Sequence, residues 1–250
     1  MDSNLSYCIS LPNSSKLNGI CFYINLMEHT HRNTRIQEQI IKYNMDYIRI
    51  DAIKEDFGGL GSLRSHLKTM KIANELLKTK PYKWILVFED DAIWNTSLTT
   101  SYIQSHLNLI DTYLQDAPVI MLGWHNCELH DWKLEKYSTY KDIYITNGHC
   151  NAAHGYIVRK DYINKFISAW EKTVPLFIDN LNKRSNGIVP DKHICEYYPD
   201  NQPWLTFQKV DRWFVIKPGL LVQNNSKNYE SYVELTRNSP KYKNLEFLNR

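Results

Sequence analysis

The stretch that most constrains this fold runs over residues 84–91, where five apolar residues lead directly into three acids, Glu89, Asp90 and Asp91. An apolar run that stops so abruptly predicts a buried strand whose carboxyl end opens into a polar site. Three adjacent carboxylates repel one another and are costly to bury unless a positive group neutralises them. A divalent cation that also holds a diphosphate would do this. The alternative is a solvated acidic turn.

Helical and strand patterns alternate along the chain and predict an α/β fold. Residues 20–26, 31–43 and 47–51 read as strand, helix and strand, which is the start of a doubly wound, mostly parallel, Rossmann-like central sheet flanked by helices. We expect further strands at 84–88, 119–122, 152–158, 213–216 and 220–222, and helices to about residue 78 and at 98–114, 161–170 and from 189. A loop and a short hairpin or edge strand are expected within 126–148, and an acceptor-side loop at 199–205.

Polar residues end the first two strands, Asn25 after one and Asp51 after the other. The carboxyl ends of parallel strands meet at one edge, where open α/β sheets bind ligands. Asn25 and Asp51 are therefore predicted to reach the same nucleotide crevice. Their alternative roles are hydrogen bonding at a strand end and helix capping.

A glycine-rich segment, 58–61, predicts a tight turn that feeds the start of a long helix. Free N–H groups and the helix dipole make such a start a site for phosphate, so Ser65 and His66 are candidates to bind a diphosphate or donor hydroxyls. The segment matches neither a Walker nor a Rossmann glycine pattern. A plain helix entry with a structural histidine is an equal alternative.

Composition excludes several classes of protein. A net charge of +3, with scattered basic residues, argues against nucleic-acid binding, and 13% aromatic residues suits either a sugar-contacting cleft or a ring-rich core. Five cysteines without a CxxC pair argue against a disulfide framework or zinc site and favour a reducing compartment. No signal-peptide pattern or long apolar run is present, so we expect a soluble, cytoplasmic protein without a transmembrane segment.

No linker or repeat divides the chain. Residues 1–18 are predicted to be a flexible leader and residues 19–250 a single domain. Within it we expect a nucleotide-binding half at about 19–125 and an acceptor half at about 126–235. The oligomeric state is open, and a dimer is possible.

Six segments together resemble one family of enzymes. They are Ile24-Asn25-Leu26 followed by Arg32 and Arg35, Ile50-Asp51-Ala52, the GGLGSLRSH run at 58–66, the FEDDA run at 88–92, the HGYIV run at 154–158, and Pro190-Asp191. In this order they resemble the glycosyltransferases of family 25, which include lipooligosaccharide and procollagen galactosyltransferases. The chain departs from the family pattern on the donor side, so the identity of the donor sugar is open. The family has Arg, Gly, Glu, Cys and Leu where this chain has Glu28, Ala52, Gly59, Ser62 and Arg64.

The resemblance implies a GT-A fold, a UDP-sugar donor and Mn²⁺ or Mg²⁺. It implies that Asp91, with Asp90, holds the metal, that Glu89 or Asp90 contacts the ribose or the metal's waters, and that Arg32 lies at the donor. The implied reaction moves a galactose- or glucose-type hexose to a hydroxyl of a glycan, as in lipopolysaccharide biosynthesis, or of a collagen-like protein.

Asp191 is our candidate for the catalytic base of an inverting transfer. It follows Pro190 in the segment that resembles the family's P-V-D, and its alternative role is a helix N-cap. His193 and His154 are the next candidates, and His154 is expected in the middle of a strand.

Two other functions compete with this interpretation. A sugar nucleotidyltransferase also needs metal bound by acids, but it would carry a glycine-rich loop after the first strand, and residues 24–30 contain no glycine. A catalytically inactive binding module of the same fold has no need for three adjacent carboxylates. The Asn-, Ile-, Lys- and Tyr-rich composition suggests an AT-rich genome, such as that of a giant DNA virus or an AT-rich bacterium.

Overall fold

The computed structural model describes residues 17–112, 114, 116–124, 135–146, 148, 150–188, 194–201 and 204–224. The strands are β1 Gly19–Asn25, β2 Asp46–Asp51, β3 Trp84–Glu89, β4 Ala92–Trp94, β5 Val119–Met121, β6 Glu135–Lys136, β7 Ile143–Ile145, β8 Gly155–Arg159, β9 Phe214–Ile216 and β10 Leu221–Gln223. The α-helices are α1 Thr30–Ile41, α2 Gly58–Thr79, α3 Thr100–Thr112, α4 Ile163–Ser185 and α5 Trp204–Val210, with 3₁₀ helices at Lys160–Tyr162 and Ile194–Tyr197.

Eight strands form one sheet in the order β2-β1-β3-β8-β5-β9-β7-β6. β1 is parallel to β2 and β3, and β5 is parallel to β9. β8 runs antiparallel to β3 and β5, and β7 runs antiparallel to β9 and β6, so these two strands oppose the other six. The predicted α/β class, with a mostly parallel central sheet flanked by helices, is confirmed.

Both faces of the sheet are covered because successive side chains of a strand point to opposite sides. In β1, Phe22 belongs to a buried cluster with Leu63 of α2 and Phe166 of α4. Its neighbour Tyr23 belongs to a second cluster with Ile36 of α1 and with residues of α3. Burial on both faces explains why β1 and β3 are apolar along almost their whole length, as parallel central strands are.

Three local expectations were wrong. The segment 58–61 is the first turn of α2 and not a turn before it. α4 continues through Pro175 to Ser185, beyond the expected end at 170, because Phe177 and Leu181 keep its apolar face in the core. Part of the expected 199–205 loop begins α5, which buries Trp204 and Phe207.

The amino-terminal boundary lies slightly earlier than the predicted leader suggests. Leu17 is buried. The backbone N–H and side-chain Nδ2 of Asn18 each donate a 2.8 Å hydrogen bond to the carboxylate of Asp111, at the end of α3. These two residues are therefore packed against the domain, whereas residues 1–16 and 225–250 lie outside the described part of the chain.

One cysteine expectation is corrected. Cys150 is disulfide-bonded, whereas Cys21 is a buried free thiol. Among the described helices none is long and apolar enough to cross a bilayer.

Candidate functional site

A cleft opens at the carboxyl edge of β1, β2 and β3, where the sequence predicted a ligand site. It is lined by residues of four segments: Ile24, Leu26, His29 and Arg32; Ala52 and Ile53; Gly58, Gly61, Ser62 and Ser65; and Glu89, Asp90 and Asp91. Its volume of about 100 Å³ is below the roughly 300–1,000 Å³ of sites that enclose a small ligand.

The three acids at the end of β3 have different surroundings. Asp90 turns toward α1, where its Oδ2 accepts a 2.7 Å hydrogen bond from Asn25 Nδ2 and its Oδ1 accepts a 3.0 Å hydrogen bond from Arg32 Nη1. Arg35 Nη2 also donates to the Asp90 carbonyl at 3.3 Å. Both carboxylate oxygens of Asp90 already have protein donors, so Asp90 is better placed to order the β1–α1 loop than to act as the predicted metal ligand.

Asp91 is the acid whose surroundings fit a cation. Its Oδ2 accepts a 2.7 Å hydrogen bond from Gln223 Nε2, while its Oδ1 is buried without a hydrogen-bond partner. Burial, followed by the charge of Glu89, raises the pKa of Asp91 to about 7. A buried carboxylate oxygen without a donor is costly, and a hard cation would satisfy it.

The described residues contain no group of three or more His, Cys, Asp or Glu side chains that could form a metal cage. Mg²⁺-like cations do not require such a cage, because they keep several waters and bind through one or two carboxylates plus substrate phosphates. Asp91, with Glu89 nearby, fits that type of site.

His66 lies deeper than the sequence suggested. It is fully buried, with Nε2 3.2 Å from Glu89 Oε1 and Nδ1 2.8 Å from the hydroxyl of Tyr156. Its ring stacks on Tyr156 and meets the edge of Trp170. His66 therefore does not line the cleft, whereas Glu89, which lies against it, does; the donor contact of His66 stays a prediction.

The electrostatic balance at Glu89 favours its charged form. Burial raises its pKa, but the hydrogen bond and charge of His66 and the charge of His154 outweigh this, so the pKa is lowered overall. Glu89 and Asp91 thus differ. His66 stabilises the charged form of Glu89, whereas burial destabilises the charged form of Asp91. A cation shared by both would relieve the repulsion between them.

Ser65 lines the cleft as predicted, whereas Asp51 does not. The Ser65 hydroxyl donates to Gly61 O at 2.7 Å and accepts from Ile53 N at 2.8 Å, so it ties the β2–α2 loop to the helix. Asp51 lies outside the cleft, is exposed, and forms an ion pair with Arg49.

Glycines are needed at the start of α2 for close packing. A Cβ on Gly59 would lie 2.3 Å from the ring of Tyr198, and one on Gly61 would lie 2.6 Å from the carbonyl oxygen of Ile53. Since Gly58 and Gly61 line the cleft, this packing brings the helix amino terminus to the acids. A helix amino terminus favours a bound anion.

His154 lies in the turn before β8 and not within a strand, which corrects its expected position. Its carbonyl oxygen accepts a 3.1 Å hydrogen bond from the backbone N–H of Glu89. Asp191 and His193 lie outside the described residues, so the structure gives them no position.

Two residues near the acids were missed by the sequence analysis. Gln223 donates to Asp91, and the backbone N–H of the adjacent Asn224 donates to the Asp91 carbonyl at 2.9 Å. Asp200 accepts a 3.0 Å hydrogen bond from the backbone N–H of Ala152. Gln223 had no local signal, because it ends a short strand. The segment of Asp200 was predicted to be an acceptor-side loop, but nothing in it distinguished this residue.

No protein-family model and no curated protein sequence matches the chain. Among solved structures, the chain is similar to a glycosyltransferase involved in the glycosylation of the major capsid of PBCV-1, at 14% identity and a TM-score of 0.40 over 80% of this chain and 93% of that one. It is also similar to UDP-glucose pyrophosphorylase complexed with UDP-glucose, at 10% identity and a TM-score of 0.47 over 93% and 99% of the two chains. A third similarity, to apo-UDP-glucose pyrophosphorylase, has 13% identity and a TM-score of 0.41 over 88% of this chain and 79% of that one. These similarities are too remote to assign an activity, and membership of family 25 is not confirmed.

Proposed function

We propose that the protein is a metal-dependent glycosyltransferase that moves a hexose from a UDP-sugar to a hydroxyl of a glycan or of a collagen-like protein. The observation that carries this proposal is the buried, partnerless Oδ1 of Asp91 beside Glu89, at the carboxyl edge of a mostly parallel sheet. Ligands of open α/β sheets bind at that edge. The resemblance of six ordered sequence segments to family 25 supports the same reaction.

Asp91 would hold Mn²⁺ or Mg²⁺, with Glu89 close enough to contribute an oxygen or to orient a bound water. When bound, the cation stabilises the negative charge that develops on the departing UDP. Asp90 holds Arg32 and Asn25 in place and so fixes the loop that follows β1. The first turn of α2 favours the diphosphate through its dipole.

The apolar wall of the cleft gives the nucleotide a second surface. Ile24 and Leu26 come from the end of β1, and Ala52 and Ile53 from the segment after β2. A pocket with apolar walls and a few convergent polar groups is the usual form of a small-molecule site. We infer that the uracil ring of the donor lies against this wall while its diphosphate reaches toward Asp91.

The transfer is proposed to invert the anomeric centre, with a base that takes the acceptor's proton on the face opposite the departing UDP. A β-linked product from an α-linked UDP-sugar, read from NMR coupling constants, is the expected result. An α-linked product would reject inversion without rejecting transfer.

Calorimetry with UDP and Mn²⁺ tests the metal site, and mass spectrometry of UDP released from a panel of UDP-hexoses tests the activity. Wild-type protein is expected to bind UDP in a Mn²⁺-dependent manner, and Asp91→Asn to lose this binding. Asp51→Asn is the matched control, since Asp51 is an exposed carboxylate outside the cleft.

The same measurements separate the competing functions. A nucleotidyltransferase would form UDP-sugar from UTP and a sugar 1-phosphate and would transfer no sugar to an acceptor. A binding module would bind UDP and release none from any donor. Binding by Asp91→Asn that equals the wild type would show the metal assignment to be wrong.

A further inference from the structure

We propose that Asp200 is the general base of this transfer, a role for which the sequence suggested Asp191. The inference rests on the proposed function and names the residue that takes the proton from the acceptor hydroxyl. It stands on two structural links between Asp200 and the edge of the sheet that carries the acids, and on the chemistry of its carboxylate.

The first link is the turn before β8. The Ala152 backbone N–H donates to Asp200 Oδ2 at 3.0 Å. Two residues later, the carbonyl of His154 accepts the backbone N–H of Glu89 at 3.1 Å. One short turn therefore holds Asp200 on one side and the end of β3 on the other.

The second link passes through α2. Tyr198, two residues before Asp200, packs against Gly59 so closely that a Cβ there would lie 2.3 Å from its ring. Gly58 and Gly61, in the same helical turn, line the cleft. The segment that carries Asp200 therefore lies against the element that forms one wall of the donor cleft.

The backbone at Ala152 has an unusual conformation, with a φ of 114°. L-residues rarely adopt such values, and strain of this kind costs on the order of 1–3 kcal/mol and is concentrated at functional sites. Here it occurs at the residue whose N–H holds the Asp200 carboxylate, which indicates that the orientation of this acid is maintained at a cost.

The carboxylate suits a base. Asp200 is half-buried, so its carboxylate is not sealed inside the core. Burial, followed by the charge of Glu89, raises its pKa to about 6, and a base with a pKa near the working pH is efficient. The charged or titratable groups that act on it come from three elements: Glu89 on β3, His66 on α2 and Tyr156 on β8.

The proton balance is simple. The acceptor oxygen forms a new bond to the anomeric carbon while the bond from that carbon to the β-phosphate oxygen breaks. The electron pair of the broken bond leaves with UDP. The acceptor's proton passes to Asp200 Oδ1, since Oδ2 accepts the Ala152 N–H. No oxidant, reductant or further reactant is required.

The competing explanation is that Asp200 only caps the turn at Ala152. Asp200→Asn separates the two, because the amide oxygen still accepts the Ala152 N–H but cannot take a proton. The probes are UDP with Mn²⁺ for binding, and UDP-galactose and UDP-glucose with an alkyl galactoside or a collagen-like Gly-X-Y peptide for transfer. Asp161→Asn, an exposed acid before α4, is the matched control, and Asp191→Asn is the rival variant.

We expect Asp200→Asn to melt and to bind UDP with Mn²⁺ as the wild type does, and to transfer sugar about 10²–10⁴-fold more slowly. Asp161→Asn should transfer at the wild-type rate. Near-wild-type transfer by Asp200→Asn, or slow transfer confined to Asp191→Asn, would overturn the role of Asp200 and leave the proposed function intact. A wild-type protein that neither binds UDP nor releases it from any donor would overturn both.

Discussion

Arg32 donates a 3.0 Å hydrogen bond to Asp90 through Nη1, and both side chains are almost completely buried. The pair joins α1 to the end of β3 at the floor of the cleft. Asn25 donates to the second oxygen of the same carboxylate, so both oxygens of Asp90 have protein donors. All three acids line the cleft, but Asp90 is the one whose carboxylate is held by α1 and the end of β1.

Removal of Arg32 should therefore destabilise the protein strongly. Loss of one partner from a buried ion pair costs about 3–5 kcal/mol because the other charge stays buried. Arg49→Ala is the control, since the Arg49–Asp51 pair is much more exposed and exposed pairs contribute about 0–1 kcal/mol. Urea denaturation of Arg32→Ala and Arg49→Ala measures the difference. Equal losses in the two variants would contradict a structural role for the Arg32–Asp90 pair.

Asp91→Asn should stabilise the metal-free protein at pH 8. The folded-state pKa of Asp91 is raised to about 7 from the ordinary aspartate value of 3.8, so the folded state loses stability as the pH rises between these values, and the full penalty applies above 7. An amide avoids a penalty of roughly 1–4 kcal/mol. Thermal melts in EDTA at pH 8 measure this gain, and melts with Mn²⁺ should show that the variant has lost the stabilisation by metal. An unchanged melting temperature in EDTA would show that Asp91 is not destabilised by burial.

His66→Ala should reduce stability more than it reduces donor affinity, which reverses the expectation drawn from the sequence. His66 is fully buried among Tyr156 and Trp170, and truncation of a buried ring leaves a cavity that costs on the order of 3–5 kcal/mol. Tyr156→Phe removes only the hydroxyl that meets His66, at about 1 kcal/mol. Chemical denaturation measures the free energy of unfolding of the two variants, and His66→Ala should lose more of it than Tyr156→Phe. A His66→Ala protein of normal stability that fails to bind UDP would restore the direct donor contact.

Gly61→Ala tests the steric role of the glycines in α2. Alanine has a helix propensity about 1 kcal/mol better than glycine, which alone would stabilise the variant. A Cβ at this position would lie 2.6 Å from the backbone oxygen of Ile53, and such overpacking costs about 1–3 kcal/mol. We expect net destabilisation and weaker UDP binding. Higher stability in Gly61→Ala would show that the 52–55 segment moves away from the added methyl group at little cost.

The first half of the fold follows from local sequence signals. β1, α1, β2 and β3 were predicted within a few residues because each has a strong periodicity or an unbroken apolar run. The candidate role of Asp91 was inferred from the same abrupt change of polarity, and the structure places Asp91 in the cleft. The division of labour among the three acids could not be predicted, because it depends on partners 58 and 132 residues away in sequence, Arg32 and Gln223.

Two wrong predictions have a common physical cause, which is that glycine and proline do not always end a helix. Gly58, Gly59 and Gly61 were assigned to a turn, although Gly59 and Gly61 permit close packing within a helix. A helix was predicted to end at 170, although α4 continues through Pro175. The sequence shows that a glycine is present. It does not show whether the fold needs the backbone freedom of that glycine or its small size.

The hydrogen bond from Gln223 to Asp91 links the proposed metal site to the folding of the carboxyl-terminal part of the described chain. β10 pairs with β4 directly after the acids, so the last described strand joins a motif that was synthesised 132 residues earlier. During translation the acids leave the ribosome long before the amide that completes their surroundings. An amino-terminal fragment would carry the motif without its geometry. If Asp91 holds Mn²⁺ as proposed, the affinity for Mn²⁺ would report whether β10, the last described strand, has joined β4, and it would serve as an assay for that step of folding.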